Sequence, residues 1–106
     1  MYSVADLQKL VQLNLIVSEE LGDETPMRHV HALYHIGLAG EAGIDSQTLD
    51  KKLKASQASV SRILKMFATE QRMIEFILDP YDGRRRLARL TPKGHQFLEK
   101  AVTAIS

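Results

Sequence analysis

Residues 46–91 read SQTLDKKLKASQASVSRILKMFATEQRMIEFILDPYDGRRRLARLT, and their punctuation decides the architecture. Asp45 or Ser46 can cap a short helix over about 47–53 that turns Leu49 and Leu53 inward. Lys54-Ala55 leave room only for a tight connection before Ser56, a second cap, opens a helix from Gln57 to about Gln71. Its apolar positions Val60, Ile63, Leu64 and Phe67 keep the spacing of one helical face. The pattern then changes. Met73-Ile74-Glu75-Phe76-Ile77-Leu78 is β-branched and aromatic, as a strand is. Asp79-Pro80-Tyr81-Asp82-Gly83 is turn chemistry, and Arg84 to Leu90 reads as the returning strand.

Upstream, a first helix is expected from Ser3 to Leu21, with Ser3 and Asp6 spaced as a capping box. Leu7, Leu10, Val11, Leu13, Leu15, Ile16 and Val17 cover more of it than one stripe requires. Such a helix lies deep in a core or packs against a second chain. Thr25-Pro26 predicts the next helix start, threonine at the cap and proline first inside, running to Gly37. Downstream, Thr91-Pro92 repeats that start, and Phe97, Leu98, Ala101, Val102 and Ile105 form the face of a last helix. The expected fold is mainly α (α+β): a winged helix-turn-helix with a two-stranded β-hairpin wing. With 106 residues it reads as one domain. Within it, 1–21 form a dimerisation helix, 46–71 the helix-turn-helix, 72–91 the wing and 92–106 the carboxy-terminal helix.

The formal charge of +1 hides an asymmetry. Residues 1–50 carry two Lys and Arg against eight acids, a net of −6, and residues 51–106 carry twelve against five, a net of +7. A basic half of this kind points to a nucleic-acid face. The composition is that of an ordinary soluble protein, 44% hydrophobic and 25% charged, with no run approaching a membrane span. The start Met1-Tyr2-Ser3-Val4 lacks the pattern of a signal peptide, and the absence of cysteine removes disulfides and thiolate metal sites. A cytoplasmic, nucleoid-associated protein is expected. No nucleophile elbow, phosphate loop or metal motif is visible, so neither enzymatic activity nor a cofactor is expected.

Three stretches carry a family likeness: Leu49-Asp50-Lys51-Lys52-Leu53 leading to Ser56-Gln57-Ala58-Ser59-Val60-Ser61-Arg62; Asp79-Pro80-Tyr81-Asp82-Gly83-Arg84-Arg85; and Leu90-Thr91-Pro92-Lys93-Gly94. Through them residues 27–101 resemble the MarR-type winged-helix regulators. The resemblance implies a transcriptional regulator, a repressor acting as a homodimer on double-stranded DNA. It also implies that an arginine at the position of Arg84 enters the minor groove while Asp82 holds the wing. Gln57, Ser59 and Ser61, with Ser56 at the cap, put short polar groups at the groove-entering end of a recognition helix. Arg62 and, further along, Lys65 can reach the phosphates, and Arg85 and Arg86 complete the basic tip. A small-molecule effector is compatible with the resemblance, though no residue argues for one.

Three departures from the family pattern stand out. The family commonly has glycine where Arg72 stands, so Arg72 must take a costlier backbone shape or the turn must differ. Phe76-Ile77-Leu78 is unusually apolar for an outgoing wing strand, and one of the three must face out. The last helix is shorter than the family's, which shifts dimerisation onto the first. His31 and His35, four apart beside His29, could share a metal, yet Glu41 is the only further ligand nearby, and none is expected. Two other readings remain open: a plasmid or phage replication or partition protein, and a winged helix used as a protein-interaction module.

Overall fold

The computed structural model describes residues 1–106. Helices α1 (Val4–Leu21) and α2 (Met27–Ala39) lead through a 3-10 turn at Gly40–Ala42 to α3 (Ser46–Leu53) and α4 (Gln57–Thr69). The hairpin of β1 (Ile74–Leu78) and β2 (Arg86–Leu90) follows, then α5 (Pro92–Ala104). The strands are antiparallel, with Phe76 opposite Ala88 and Leu78 opposite Arg86. Ile44, just before α3, pairs with Ala88 and extends the sheet by a single residue. This is the expected winged helix-turn-helix.

Local chemistry sets most of the helix starts. Ser3, Asp45, Ser56 and Thr91 each accept a hydrogen bond from an amide of the first turn they precede, and Ser3 and Asp6 complete the capping box. The start of α2 differs from the expectation. Pro26 stands at the cap and Met27 is the first helical residue, because the Thr25 hydroxyl donates to Leu21 O and closes α1 instead. Helix α2 also runs past Gly37 to Ala39. Gly37 serves packing, since a Cβ there would strike Leu98 Cδ1, and Gly40 with φ 68° ends the helix. Arg72 takes φ 55°, the strained shape the missing glycine implies. Its carbonyl accepts from Thr91 Oγ1, and the neighbouring Gln71 carbonyl accepts from Lys93 Nζ.

The core lies between α2, α3, α4, α5 and the hairpin, with Phe67, Phe97, Leu33, Ile36 and Leu49 fully buried. Helix α1 contributes little to it. Only Leu21 is buried, with Ile16 and Val17 packed partly against the core. The helix lies along α5, where Glu20 pairs with Lys100. The radius of gyration is therefore 14.7 Å, with extents of 49 × 28 × 25 Å. A chain of about 100 residues packed tightly would give about 13 Å.

His29 of α2 sets its ring edge-on to Phe67, the centroids 6.3 Å apart, and its Nδ1 is buried without a partner. Burial, with Arg28 beside it, lowers its proton affinity. Below its ordinary pKa of about 6.5 the unfolded chain therefore binds a proton that the folded chain resists. This part of the stability is complete above that pH and is lost as the pH falls through it. Urea midpoints at pH 7.5 and 5.5 are expected to drop on acidification in the wild type, and by less in His29→Leu. Equal drops in both would assign the acid sensitivity elsewhere.

Candidate nucleic-acid interface

Helix α4 turns Val60, Ile63, Leu64 and Phe67 into the core, which leaves Ala58, Ser61, Arg62 and Lys65 exposed on the other side. Gln57 is exposed at the helix start. Ser56 is committed as the cap: its hydroxyl accepts from Ser59 N at 3.2 Å and donates to Ser59 Oγ at 3.0 Å. Ser59 is half-buried, on the flank of the outward face rather than opposite the core. Ala58 stands within that face, an apolar position that the polar pattern of the sequence does not single out. Its methyl group is the kind of surface that meets a thymine methyl.

The wing leans toward α4 and encloses an open groove of about 1150 Å³. The groove brings together Ser61, Arg62 and Lys65 of α4 with Asp82, Arg84, Arg85 and Arg86 of the wing. Ser56, Gln57 and Ser59 lie outside it. Ser46 and Gln47 at the start of α3 also line it, a proximity that no sequence spacing reveals. Five Lys and Arg face two carboxylates across this groove, Asp45 and Asp82, and both carboxylates are already engaged by arginines.

The three tip arginines, equivalent in sequence, have three different environments. Asp82 Oδ1 accepts from the Arg84 amide at 3.1 Å and from its Nε at 3.3 Å, while the side chain of Arg84 stays 94% exposed. The guanidinium is thus aimed by one bond and left free at its far end. Arg86 sits over the Phe76 ring, 4.4 Å from its centroid. Arg85 turns back to Asp45, with Nη2 on Oδ1 at 2.5 Å and Nε 3.9 Å from Asp79. Arg85 lines the groove as well, but its guanidinium is held by acids of the protein itself. Burial alone would raise the Asp45 pKa, but hydrogen bonds from Thr48 and Arg85 outweigh it and hold the carboxyl down at about 2.

Of the apolar wing residues, Leu78 faces out, while Phe76 and Ile77 are half-buried. Tyr81 at the tip is fully exposed. The histidine cluster does not assemble. His31 is exposed, and Glu41 pairs instead with His95 at 3.3 Å and Arg89 at 3.6 Å. No three His, Asp or Glu side chains come together as metal ligands. No helix is long and apolar enough to cross a membrane.

No family model matches the chain, and no curated protein matches it. Solved structures do. S. aureus MepR in complex with DNA superposes with a TM-score of 0.75 at 20% identity, over 92% of this chain and 73% of that one. A probable transcriptional regulator from Pseudomonas aeruginosa gives 0.69 at 22% identity, over 92% and 71%. The PcaV transcriptional regulator from Streptomyces coelicolor, bound to its natural ligand, gives 0.66 at 22%, over 93% and 67%. At these identities the likeness is one of fold, and the chain has the winged-helix fold of these transcriptional regulators.

Proposed function

We propose that the chain is a MarR-type, sequence-specific double-stranded DNA-binding regulator, a non-enzymatic repressor in the cytoplasm that acts as a homodimer. One observation carries this reading: a helix face of short polar and basic groups and a free, aimed arginine share one concave surface. The groove opens to solvent and is lined by five Lys and Arg, as a surface for a polyanion is. In this reading Gln57, Ala58, Ser59 and Ser61 read base edges in the major groove, and Arg62 and Lys65 hold phosphates. Arg84 enters the adjacent minor groove, where narrow A·T stretches concentrate negative potential. S. aureus MepR, which shares the fold, is seen on DNA. The whole of 1–106 acts as one winged-helix domain, with 1–21 as its dimerisation helix.

Gel-shift titration on genomic fragments over a range of salt tests the proposal. Arg84→Ala is expected to weaken binding broadly and to lower the log–log salt slope by about one unit, as loss of one phosphate-type contact does. Footprinting then separates one palindrome, expected of a repressor, from the repeated sites of a replication or partition protein. A wild-type chain that retards no fragment would instead favour a protein-interaction module, for which exposed Leu78 and Tyr81 are the argument.

A further inference from the structure

The pairing of Arg85 with Asp45 joins two segments that the chain keeps forty residues apart, just beyond the last paired residues of the hairpin strands. The hairpin meets the start of α3 through one pair of backbone hydrogen bonds, Ile44 N to Ala88 O at 2.9 Å and Ala88 N to Ile44 O at 2.8 Å. That bridge and the buried side chains of Ile74, Ala88 and Leu90 hold the base of the hairpin, and the tip lies beyond them. Arg85 lies three residues further toward the tip, and its guanidinium reaches back to the very next residue, Asp45. Asp45 is the only charged residue of the chain that is buried. Its other duties are local, accepting from Thr48 N at 3.0 Å and from Thr48 Oγ1 at 2.6 Å to start α3. Helix α3 in turn packs on α4.

We infer that Asp45 and Arg85 form a strut that locks the angle between the wing and the helix-turn-helix, so that Arg84 and the outer face of α4 meet DNA together. This rests on the proposed DNA-binding function and assigns Arg85 a new role within it, as a positioning residue rather than a contact. The strut also explains why three adjacent arginines are tolerated at one tip. Asp45 and Asp79 flank the guanidinium of Arg85, and Asp82 holds that of Arg84. Only Arg84 is left both aimed and free.

The test depends on a substitution that breaks the pair and spares the cap. Asp45→Ser does so, because serine caps helices about as well as aspartate but is too short to reach Arg85. Removing a carboxylate from a basic groove should, by charge alone, tighten DNA binding. The strut predicts the opposite sign. Asp45→Ser and Arg85→Ala are each expected to weaken binding about tenfold, with the double variant no weaker than either, as for two residues acting through one interaction. The salt slope should stay at the wild-type value in Arg85→Ala, unlike in Arg84→Ala. Hydroxyl-radical footprints should lose the minor-groove protection of the wing and keep the major-groove protection of α4.

In the free protein, amides of the tip (Tyr81, Asp82, Arg84 and Arg85) should exchange faster in Asp45→Ser, while core amides such as Leu33 and Phe67 exchange as before. Equal or tighter binding by Asp45→Ser overturns the inference, as does a salt slope lowered by about one unit in Arg85→Ala, which would make Arg85 a phosphate contact. A wild-type chain that binds no DNA overturns the proposed function instead. The strut is then judged on exchange alone: faster exchange at the tip upholds it and unchanged exchange overturns it.

Discussion

Gly94→Ala is expected to destabilise the fold by about 3 kcal/mol, a fall in Tm of about 15 °C for a domain of this size. Gly94 is buried at the start of α5, three residues after its cap, where its amide donates to Thr91 Oγ1. A Cβ built there lands on the Met73 carbonyl oxygen and 3.0 Å from Leu90 Cδ2. The carbonyl cannot give way, because it already accepts from Thr91 N at 3.0 Å and belongs to the turn into β1. Accommodating a methyl group therefore means lifting α5 off the base of the hairpin. Gly83, in the wing turn, is the control. A Cβ there meets nothing within 4 Å and its backbone is not left-handed, so Gly83→Ala should leave Tm unchanged. If Gly94→Ala moves Tm by less than about 3 °C, the helix start has slack and the close-packing argument fails.

These two glycines show what a sequence can and cannot reveal. Gly83 sits in turn chemistry, yet the structure gives it no need to be glycine. Gly94 sits inside a helix and is required by the carbonyl of Met73, which lies before β1. Local signals were legible: Ser3, Ser56 and Thr91 cap their helices as their spacing predicts, because a cap and its amide are three residues apart. Thr25 does not cap α2 as its spacing predicts, because two helix ends compete for one hydroxyl. Arg72 was legible as a strained position, since the cost of a left-handed backbone is intrinsic to the residue.

The candidate interface was half legible. Its helix face and basic tip follow from periodicity and composition. The division of labour among Arg84, Arg85 and Arg86 does not, since it depends on Asp45 and Phe76, and the Asp45 partner is forty residues away. For the same reason, the sequence places Glu41 beside His31 and His35, whereas the fold pairs it with Arg89 and His95.

Leu10→Glu is expected to convert the protein from dimer to monomer and to reduce affinity for a two-half-site operator about a hundredfold or more, since one half no longer delivers the other. The sequence alone left open which side of α1 faces a partner, and Leu10 and Val17 were both candidates. The structure separates them. Val17 packs partly against the core, whereas Leu10 is 53% exposed beside Leu7 and Val11, themselves 45% and 59% exposed. Leu7, Leu10 and Val11 fall at intervals of three and four and so share one helical face, with Val4 and Leu15 also exposed along α1. Monomeric proteins rarely leave a contiguous apolar strip of this length in water. Two-fold pairing would cover it and present two α4 helices to successive turns of the major groove. Because Leu10 is exposed and is not packed against the core, the variant should keep its helical circular dichroism. Val17→Glu, by contrast, should lose structure as well as DNA binding. Light scattering at micromolar concentration decides the matter: the wild type should weigh twice 11.9 kDa and Leu10→Glu should weigh 11.9 kDa. A wild-type mass of 11.9 kDa would mean that α1 stands exposed in solution, and the homodimer would be lost from the proposal along with its two half-sites.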